Sequence, residues 1–239
     1  YELPPFAQIK EEHYLPAFYA GCEEQLAEVE TIITSGEPTF ENTLVALEKS
    51  GLMLGRMLMV FYNKSSSDTS DALDKIEEEI APKLAAHSDT IRLNPALFGR
   101  IKKIYDNRET LNLNAEDLNL LEKYYTDFIH SGAHLTEAQC NELKGLNEQL
   151  SKLETQFSKN VLADTNDLAV VVDDIKELDG LSENEIAACA AAAKDRGLEG
   201  KYLIGAVNFS GNPLLASLKN RDLRRKVMEN SLSKSNRDN

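Results

Sequence analysis

Two histidines four residues apart, His130 and His134, have the only spacing in this sequence that suggests a metal site. A zinc-peptidase helix carries the motif H-E-x-x-H, in which both imidazoles face the metal and the glutamate activates the bound water. Here Ser131 occupies the position of the glutamate, and Gly132 stands where the helical pattern ends. Because the two histidines then lie on either side of a loop and lack a third ligand, we expect no stoichiometric zinc binding at these residues.

Other catalytic patterns are missing from the sequence. It contains no G-x-S-x-G, no G-x-x-x-x-G-K-[S/T] and no G-x-G-x-x-G after a strand. Neighbouring carboxylates are common, but they are expected by chance among 40 acidic residues. His13 and His87 are isolated, and we expect them to be surface or packing residues. The residues alone therefore predict no catalytic, cofactor-binding or metal-binding residue in this chain.

The three cysteines, Cys22, Cys140 and Cys189, are odd in number and far apart. No C-x-x-C spacing is present for metal or redox chemistry. We interpret them as reduced, buried thiols, and a disulfide framework is excluded as the organising principle of the fold.

The chain is strongly acidic. Its 239 residues include 26 Lys and Arg against 40 Asp and Glu, a formal net charge of −14, and 42% are hydrophobic. Such a composition is typical of a folded protein with one large domain or two small ones. The negative charge argues against nucleic acid or an anionic membrane as the main partner.

The sequence has no apolar run near the ~20 residues of a membrane span. Its first residues, Tyr1–Pro5, also lack the basic flank and apolar stretch of a signal peptide. We expect a cytoplasmic protein, with the periplasm or export as the alternative, because a removed export signal leaves no trace in the sequence.

Helical periodicity dominates residues 1–166. The spacing predicts a first helix and a second helix from near Thr39 through Phe61. The middle of the second helix, Leu52–Val60, is apolar nearly all round, so this helix should be central in a bundle. A polar turn, Asn63–Ser70, should precede a third helix that Pro82 kinks or breaks.

Capping residues predict the next three helices. Asn94 and Asn114 should begin the fourth and fifth, and Thr136 with Gln139 forms a capping box that opens a long sixth helix. The short loop Ser131–Leu135 predicts that the fifth and sixth helices pair antiparallel. The sixth helix repeats apolar residues three and four apart: Leu143, Leu146, Leu150, Leu153, Phe157 and Val161.

A strand–helix–strand insert follows near residues 168–209. The strand candidates are Leu168–Val172 and Lys201–Phe209, and between them Ser182 should cap a helix that ends at Gly197. Their orientation is open, although an intervening helix favours parallel pairing. A last helical region should begin at Asn212-Pro213. The expected fold is mainly α, a multi-helix bundle with a small two-strand insert.

Family resemblance rests on six collinear segments: Leu3–Phe18, Pro38–Glu48, Val60–Asn63, Ile80–His87, Leu93–Phe98 and Phe157–Asn166. Together they resemble the N-terminal region of the bacterial peptidyl-dipeptidases (dipeptidyl carboxypeptidases), which belong to the thimet oligopeptidase family of zinc metallopeptidases. The resemblance implies a hydrolase with two mostly helical halves around a deep channel. Such a carboxypeptidase releases dipeptides from the C-termini of short peptides.

The same resemblance implies that the chemistry lies outside this chain. In the family the H-E-x-x-H motif, the third ligand glutamate and the transition-state tyrosine and histidine lie in the C-terminal half, and none of them occurs here. We therefore expect an N-terminal fragment that forms the channel wall and is inactive alone, with a helical region at residues 1–166 and the insert and last helices at residues 167–239. Its partners would be the missing C-terminal half and short peptides, with zinc as a cofactor of the full-length enzyme only.

The alternative is a free-standing acidic helical domain that binds a protein partner. For an N-terminal fragment of the peptidase, we expect the chain to fold and to expose apolar surface at its last helical region and the strand insert beside it, which favours self-association or a frayed C-terminus from about Asn212. That region is rich in apolar residues: Leu214, Leu215, Leu218, Leu223 and Val227.

Overall fold

In the first of two units, Tyr1–Thr155, the described residues form helices joined by turns and short loops. The structure is a computed structural model that describes residues 3–207 and 211–236. The helices are α1 Tyr14–Thr34, α2 Ala46–Lys49, α3 Leu52–Ser67, α4 Asp71–Arg92, α5 Pro95–Asp106, α6 Ala115–Ser131 and the start of α7 Glu137–Asp167. Short 3-10 turns span Phe6–Gln8, Glu11–His13 and Arg108–Thr110, and a π-helical segment spans Phe40–Val45.

Side-chain caps begin several of these helices where the sequence predicts them. Asn94 Oδ1 accepts hydrogen bonds from the Ala96 and Leu97 amides at 2.9 and 3.0 Å. Asn114 Oδ1 accepts from the Asp117 amide at 2.9 Å. Thr136 Oγ1 accepts from the Gln139 amide at 3.4 Å, while the Thr136 amide donates to Gln139 Oε1 at 3.0 Å. The predicted caps and capping box are confirmed.

The second predicted helix is in fact two helices, because the chain turns at Ser50-Gly51. Gly51 has φ +70°, a left-handed conformation that other residues adopt at a cost. Its amide donates to Glu28 Oε2 at 2.7 Å instead of to an intrahelical carbonyl. The predicted polar turn begins too early, since α3 continues to Ser67. Pro82 does not break α4, which runs without interruption from Asp71 to Arg92.

The prediction that Leu52–Val60 is central in the bundle is wrong. Leu52 is 57% exposed and Met59 is 74% exposed, whereas Leu54 is buried. Helix α3 packs on α1 through one face only, where Gly21 has no side chain and the Leu54 backbone approaches closely. Helix α3 therefore has more apolar residues than its contacts with neighbouring helices bury.

Two hydrophobic clusters stabilise the first unit. One joins α1, α3 and α4 through Phe18, Phe61, Leu73 and Ile80. The other joins the π-helical segment to α5 and α6, and its fully buried members are Leu44, Leu97, Ile101 and Leu121. Burial of such side chains contributes about 1.5–3 kcal/mol each.

Helix α7 does not pair with α6 along its length, contrary to the sequence prediction. Leu146, Leu150 and Leu153 are 56%, 53% and 67% exposed. The apolar repeat of α7 is present, but no helix among the described residues of the first unit buries these leucines. We call these three leucines the α7 seam.

The second unit, Gln156–Asn239, contains the two-strand insert. Strands β1 Val170–Val172 and β2 Tyr202–Ile204 are antiparallel, with Val170 opposite Ile204. The preference for parallel pairing is therefore wrong: the connection holds a 3-10 turn, helix α8 Glu183–Asp195 and positive-φ glycines, which together reverse the chain. Both strands are shorter than predicted, and Phe209 lies outside the described residues.

The last helical region is two helices, α9 Leu214–Ser217 and α10 Arg221–Leu232. It is not the exposed surface that the sequence suggests. The strands and α8 cover its apolar residues in one cluster, whose buried members include Leu214, Leu218, Leu223 and Val227. The insert thus provides a local core against which the last helices pack.

The fold is thus mainly α with one small antiparallel sheet, and the predicted fold class is confirmed. No helix in residues 3–207 and 211–236 is both long and apolar enough to cross a membrane. The expected place of the chain in a larger two-lobed peptidase stays a prediction.

Candidate functional site

The structure places the two spaced histidines in different local environments. His130 lies in the last turn of α6, and His134 lies in the turn after Gly132, whose φ is +99°. The described residues of the chain contain no group of three or more His, Cys, Asp or Glu that could hold a metal ion. They therefore do not fit the zinc that the family resemblance implies, and no catalytic step can be assigned to them.

The three cysteines are free. Cys189 is buried, while Cys22 and Cys140 are half-buried. Burial raises the pKa of the Cys22 and Cys189 thiols. Both thiols are therefore protonated and poorly nucleophilic at neutral pH.

A cavity of about 350 Å³ lies between α1, α3, α4 and α6 in the first unit. We call it the α4–α6 cavity. One wall is apolar, formed by Leu54, Leu58, Leu84, Ile91 and Phe128. The remaining lining includes polar side chains from three helices: Gln25, His87, Ser88, Arg92, Tyr124 and Asp127. Ligand sites commonly combine an apolar wall with a few convergent polar groups in this way.

His87 is the most buried polar side chain of the cavity lining, with 8% exposure. Its Nε2 lies 2.7 Å from Gln25 Oε1. Because the amide oxygen only accepts, Nε2 carries the hydrogen and Nδ1 is left as an acceptor. No buried side-chain N or O atom in the described ranges lacks a hydrogen-bond partner, so Nδ1 is not an orphaned buried acceptor. Burial lowers the pKa of His87, so the imidazole is neutral at pH 7.

Arg92 and Asp127 stand at the exposed edge of the cavity. Asp127 Oδ2 accepts from Lys123 Nζ at 2.7 Å, and this hydrogen bond lowers the pKa of the Asp127 carboxyl. Arg92 donates to Ser131 Oγ at 3.4 Å and forms no ion pair with any residue in 3–207 or 211–236. Ser131 Oγ in turn donates to the Asp127 carbonyl at 2.8 Å, which links the two charged residues at one edge.

Tyr124 closes another side of the cavity. Its hydroxyl donates to Glu48 Oε1 at 2.6 Å. Burial and this hydrogen bond raise the pKa of Tyr124 above its usual range, so the phenol stays protonated. It acts as a fixed neutral group and not as a base.

A second cavity, of about 600 Å³, lies in the second unit beside β2 and α8. Cys189, Leu203 and Leu214 line it, together with the polar residues Glu185 and Arg196. The Arg196 guanidinium is already occupied, since it donates to the Asn166 carbonyl at 2.8 Å and to Asn166 Oδ1 at 2.9 Å. Glu185 Oε2 accepts from the Ser182 amide and hydroxyl, each at 2.7 Å, and burial and the Glu185 charge raise the pKa of the Cys189 thiol.

Sequence reasoning missed the α4–α6 cavity because its residues are far apart in the chain. His87 was expected to be an isolated surface or packing residue, and it is a packing residue that also lines the cavity. The only local signal was the i, i+4 step from His87 to Ile91, with Ser88 and Arg92 one position further on. That step places all four on adjacent faces of α4.

Several known peptidases are similar to this chain along nearly its whole length. No protein-family model matches the chain. The dipeptidyl carboxypeptidase of Escherichia coli (strain K12) is 38% identical over 228 residues, which are 95% of this chain and 34% of that protein. The dipeptidyl carboxypeptidase of Salmonella typhimurium (strain LT2) is 38% identical over 225 residues, 94% of this chain and 33% of that protein.

Oligopeptidase A of E. coli is 29% identical over 228 residues, 95% of this chain and 33% of that protein. The chain thus spans about a third of the length of the curated relatives that it matches. It is homologous along nearly its whole length to the dipeptidyl carboxypeptidases, and at lower identity to the oligopeptidases A, which confirms the relationship that its sequence predicts.

Proposed function

We propose that this chain is the N-terminal, channel-wall region of a zinc peptidase that releases dipeptides from the C-termini of short peptides. The observation that carries the proposal is the 38% identity to a dipeptidyl carboxypeptidase over 95% of the chain. Similarity that extends over nearly every helix and the insert favours a shared fold in this region. Function is inferred here from the relatives, because the described residues hold no group of three or more His, Cys, Asp or Glu that could bind a metal ion.

In this proposal the helices of the chain bound the space that a peptide enters, and the reacting groups belong to another region of the protein. A metal-assisted hydrolysis needs a metal site and a general base close together. The described residues supply neither, since His130 and His134 have no third ligand beside them. The contribution of this chain would be to admit flexible peptides and exclude folded proteins.

Peptidase assays on two proteins test the proposal. The 239-residue chain and a longer protein that includes it would each be incubated with a short peptide bearing a free C-terminus. We expect no hydrolysis by the chain at any pH and dipeptide release by the longer protein. Elemental analysis should find about one zinc per longer protein and none bound to the chain. Chelator-sensitive cleavage by the chain, or zinc bound to it and lost in His134→Ala, contradicts the proposal.

A second candidate function is a protein-interaction domain. The α7 seam favours it, because three leucines more than half exposed on one helix face are typical of a surface that binds a partner. The genomic reading frame after Asn239 distinguishes the two candidates. A frame that continues to H-E-x-x-H on a helix supports the peptidase, and a stop codon there supports the interaction domain.

A further inference from the structure

We propose that the α4–α6 cavity binds a small zwitterion with an apolar body, namely a free aliphatic or aromatic amino acid or a dipeptide. The proposal is independent of the proposed peptidase function, since it concerns binding within the first unit and not hydrolysis. It rests on three features of the cavity lining: an arginine that forms no ion pair with the described residues, two acceptor side chains of which one is a carboxylate, and a set of apolar side chains.

The cation is Arg92. Its guanidinium has five donors, yet the described residues offer it only Ser131 Oγ, at the long distance of 3.4 Å. The Arg92 charge helps lower the pKa of the Asp127 carboxyl, but in the described residues Arg92 forms no ion pair with a carboxylate, so its guanidinium can bind a carboxylate of the ligand. Arginine binds carboxylates in a bidentate manner, which also fixes their orientation.

The anion and acceptor are Asp127 and His87. The lowered pKa of Asp127 keeps its carboxylate ionised, and its contact with Lys123 occupies only Oδ2. His87 also lines the cavity, and Nδ1 is its remaining acceptor because Nε2 donates to Gln25 Oε1. Both groups accept hydrogen bonds, and an ammonium group donates three. The ligand therefore needs an ammonium as well as a carboxylate.

The apolar wall and the size of the cavity limit the rest of the ligand. Leu54, Ile91 and Phe128 are buried and form one side of a space of about 350 Å³. This volume lies near the lower end of the range of about 300–1,000 Å³ for small-molecule sites. An amino acid or a dipeptide with an aliphatic or aromatic side chain would fill it, whereas a longer peptide would extend out of it.

Calorimetric titration of the 239-residue chain with phenylalanine, leucine and the dipeptide Leu-Phe tests the proposal. We expect saturable binding with a dissociation constant on the order of 0.1–1 mM. Acetylation of the amino group and amidation of the carboxyl group should each weaken binding about tenfold, because each removes a charge-assisted contact. Tighter binding of the single amino acids identifies a free amino acid as the ligand, and tighter binding of Leu-Phe identifies a dipeptide.

Matched variants locate the site. Arg92→Gln and Asp127→Asn should each weaken binding about tenfold. Asp106→Asn is the control for Asp127→Asn, because Asp106 also accepts from a lysine four residues earlier but does not line the cavity. Arg225→Gln, on the exposed side of α10, is the control for Arg92→Gln. Circular dichroism would confirm that each variant is folded.

Three results would overturn the proposal. The first is no saturable heat with any of the three ligands up to about ten times the expected dissociation constant. The second is equal affinity for the blocked and the free ligands. The third is equal weakening by the cavity variants and their controls. None of these results bears on peptide hydrolysis, so failure here leaves the proposed peptidase function to its own assays.

Discussion

At the scale of single residues, Arg100 stands out as a buried charge that the sequence did not indicate. Its side chain is 7% exposed. The guanidinium donates to the Gly36 carbonyl at 2.6 Å, Ser35 Oγ at 2.7 Å, Asn42 Oδ1 at 2.9 Å and Thr43 Oγ1 at 3.2 Å. It thereby ties the C-terminal end of α1 to the π-helical segment. An arginine with this many neutral acceptors organises the backbone around it.

Arg100→Lys should lower the free energy of unfolding by about 2–3 kcal/mol, because a single ammonium cannot reach all of these acceptors and leaves buried groups unpaired. Urea denaturation followed by circular dichroism measures the change. Arg225→Lys on α10 is the control and should change stability by no more than about 0.5 kcal/mol. Equal, small effects of the two substitutions would show that the Arg100 contacts contribute little.

His87 predicts a specific dependence of stability on pH. Burial lowers its pKa from the usual 6.5, so the unfolded chain takes up a proton on this residue before the folded chain does. The contribution to stability is thus fully present above about pH 6.5 and declines as the pH falls toward the lower, folded pKa. His87→Gln removes this dependence.

The unfolding free energy of wild type minus that of His87→Gln should therefore decrease between about pH 7 and pH 5. Urea titrations at several pH values measure the difference, in which the contributions of the acidic side chains cancel. Ser88→Ala, at the neighbouring non-titrating residue of α4, is the control, and its difference from wild type should stay constant. A constant difference for both variants would contradict a desolvated His87.

At the scale of elements, Gly180 allows the connection after β1 to pack closely against the C-terminal end of α9. Its φ is +101°, and a Cβ at this position would lie 2.1 Å from the Ser217 carbonyl oxygen. Beside it, the Lys219 amide donates to the Asp179 carbonyl at 2.9 Å. The two segments can approach this closely because residue 180 has no side chain.

Gly180→Ala should lower the free energy of unfolding by about 3 kcal/mol, since backbone strain and a clash with the main chain add together. Gly197→Ala is the matched control. Gly197 also has a positive φ, +70°, but open space around its Cβ position. Gly197→Ala should lower the free energy of unfolding by only about 1 kcal/mol, because only the backbone conformation is unfavourable there. Thermal denaturation of both variants tests this, and equal costs would show that the contact with Ser217 relaxes freely.

At the scale of the whole molecule, the three leucines of the α7 seam are exposed, whereas Leu223 and Val227, predicted to be exposed in the last helices, are buried. We expect the 239-residue chain to self-associate through the α7 seam, since its leucines are 53–67% exposed. Leu150→Glu should shift the chain to monomer while changing the unfolding free energy by no more than about 0.5 kcal/mol.

Sedimentation velocity over a range of concentrations measures this association. Leu111→Glu adds the same charge at a leucine that is 41% exposed and outside the seam, and it should leave the association unchanged. A wild-type chain that stays monomeric at every concentration would show that the seam needs a different partner. Loss of association in both variants would point to net charge as the cause.

The sequence predicted local structure well where a single residue controls it. Asn94, Asn114, Thr136 and Ser182 begin helices because their side chains bond amides two or three residues later. Sequence-based prediction failed where the local structure depends on contact with a residue far away in the chain. The break at Gly51, for example, is accompanied by the hydrogen bond of its amide to Glu28, 23 residues earlier. The α4–α6 cavity could not be predicted for the same reason.

The sequence by itself determined the mainly α class, the helix starts that have a side-chain cap and the family relationship, because each depends on neighbouring residues or on collinear similarity. Only the tertiary structure decided which apolar faces are buried. Leu150 and Leu223 both lie on apolar stripes of their helices, yet Leu150 is 53% exposed and Leu223 is 5% exposed. Periodicity shows that a helix has an apolar face, but burial requires a second surface to meet it. Which apolar faces find such a surface depends on contacts between residues far apart in the sequence.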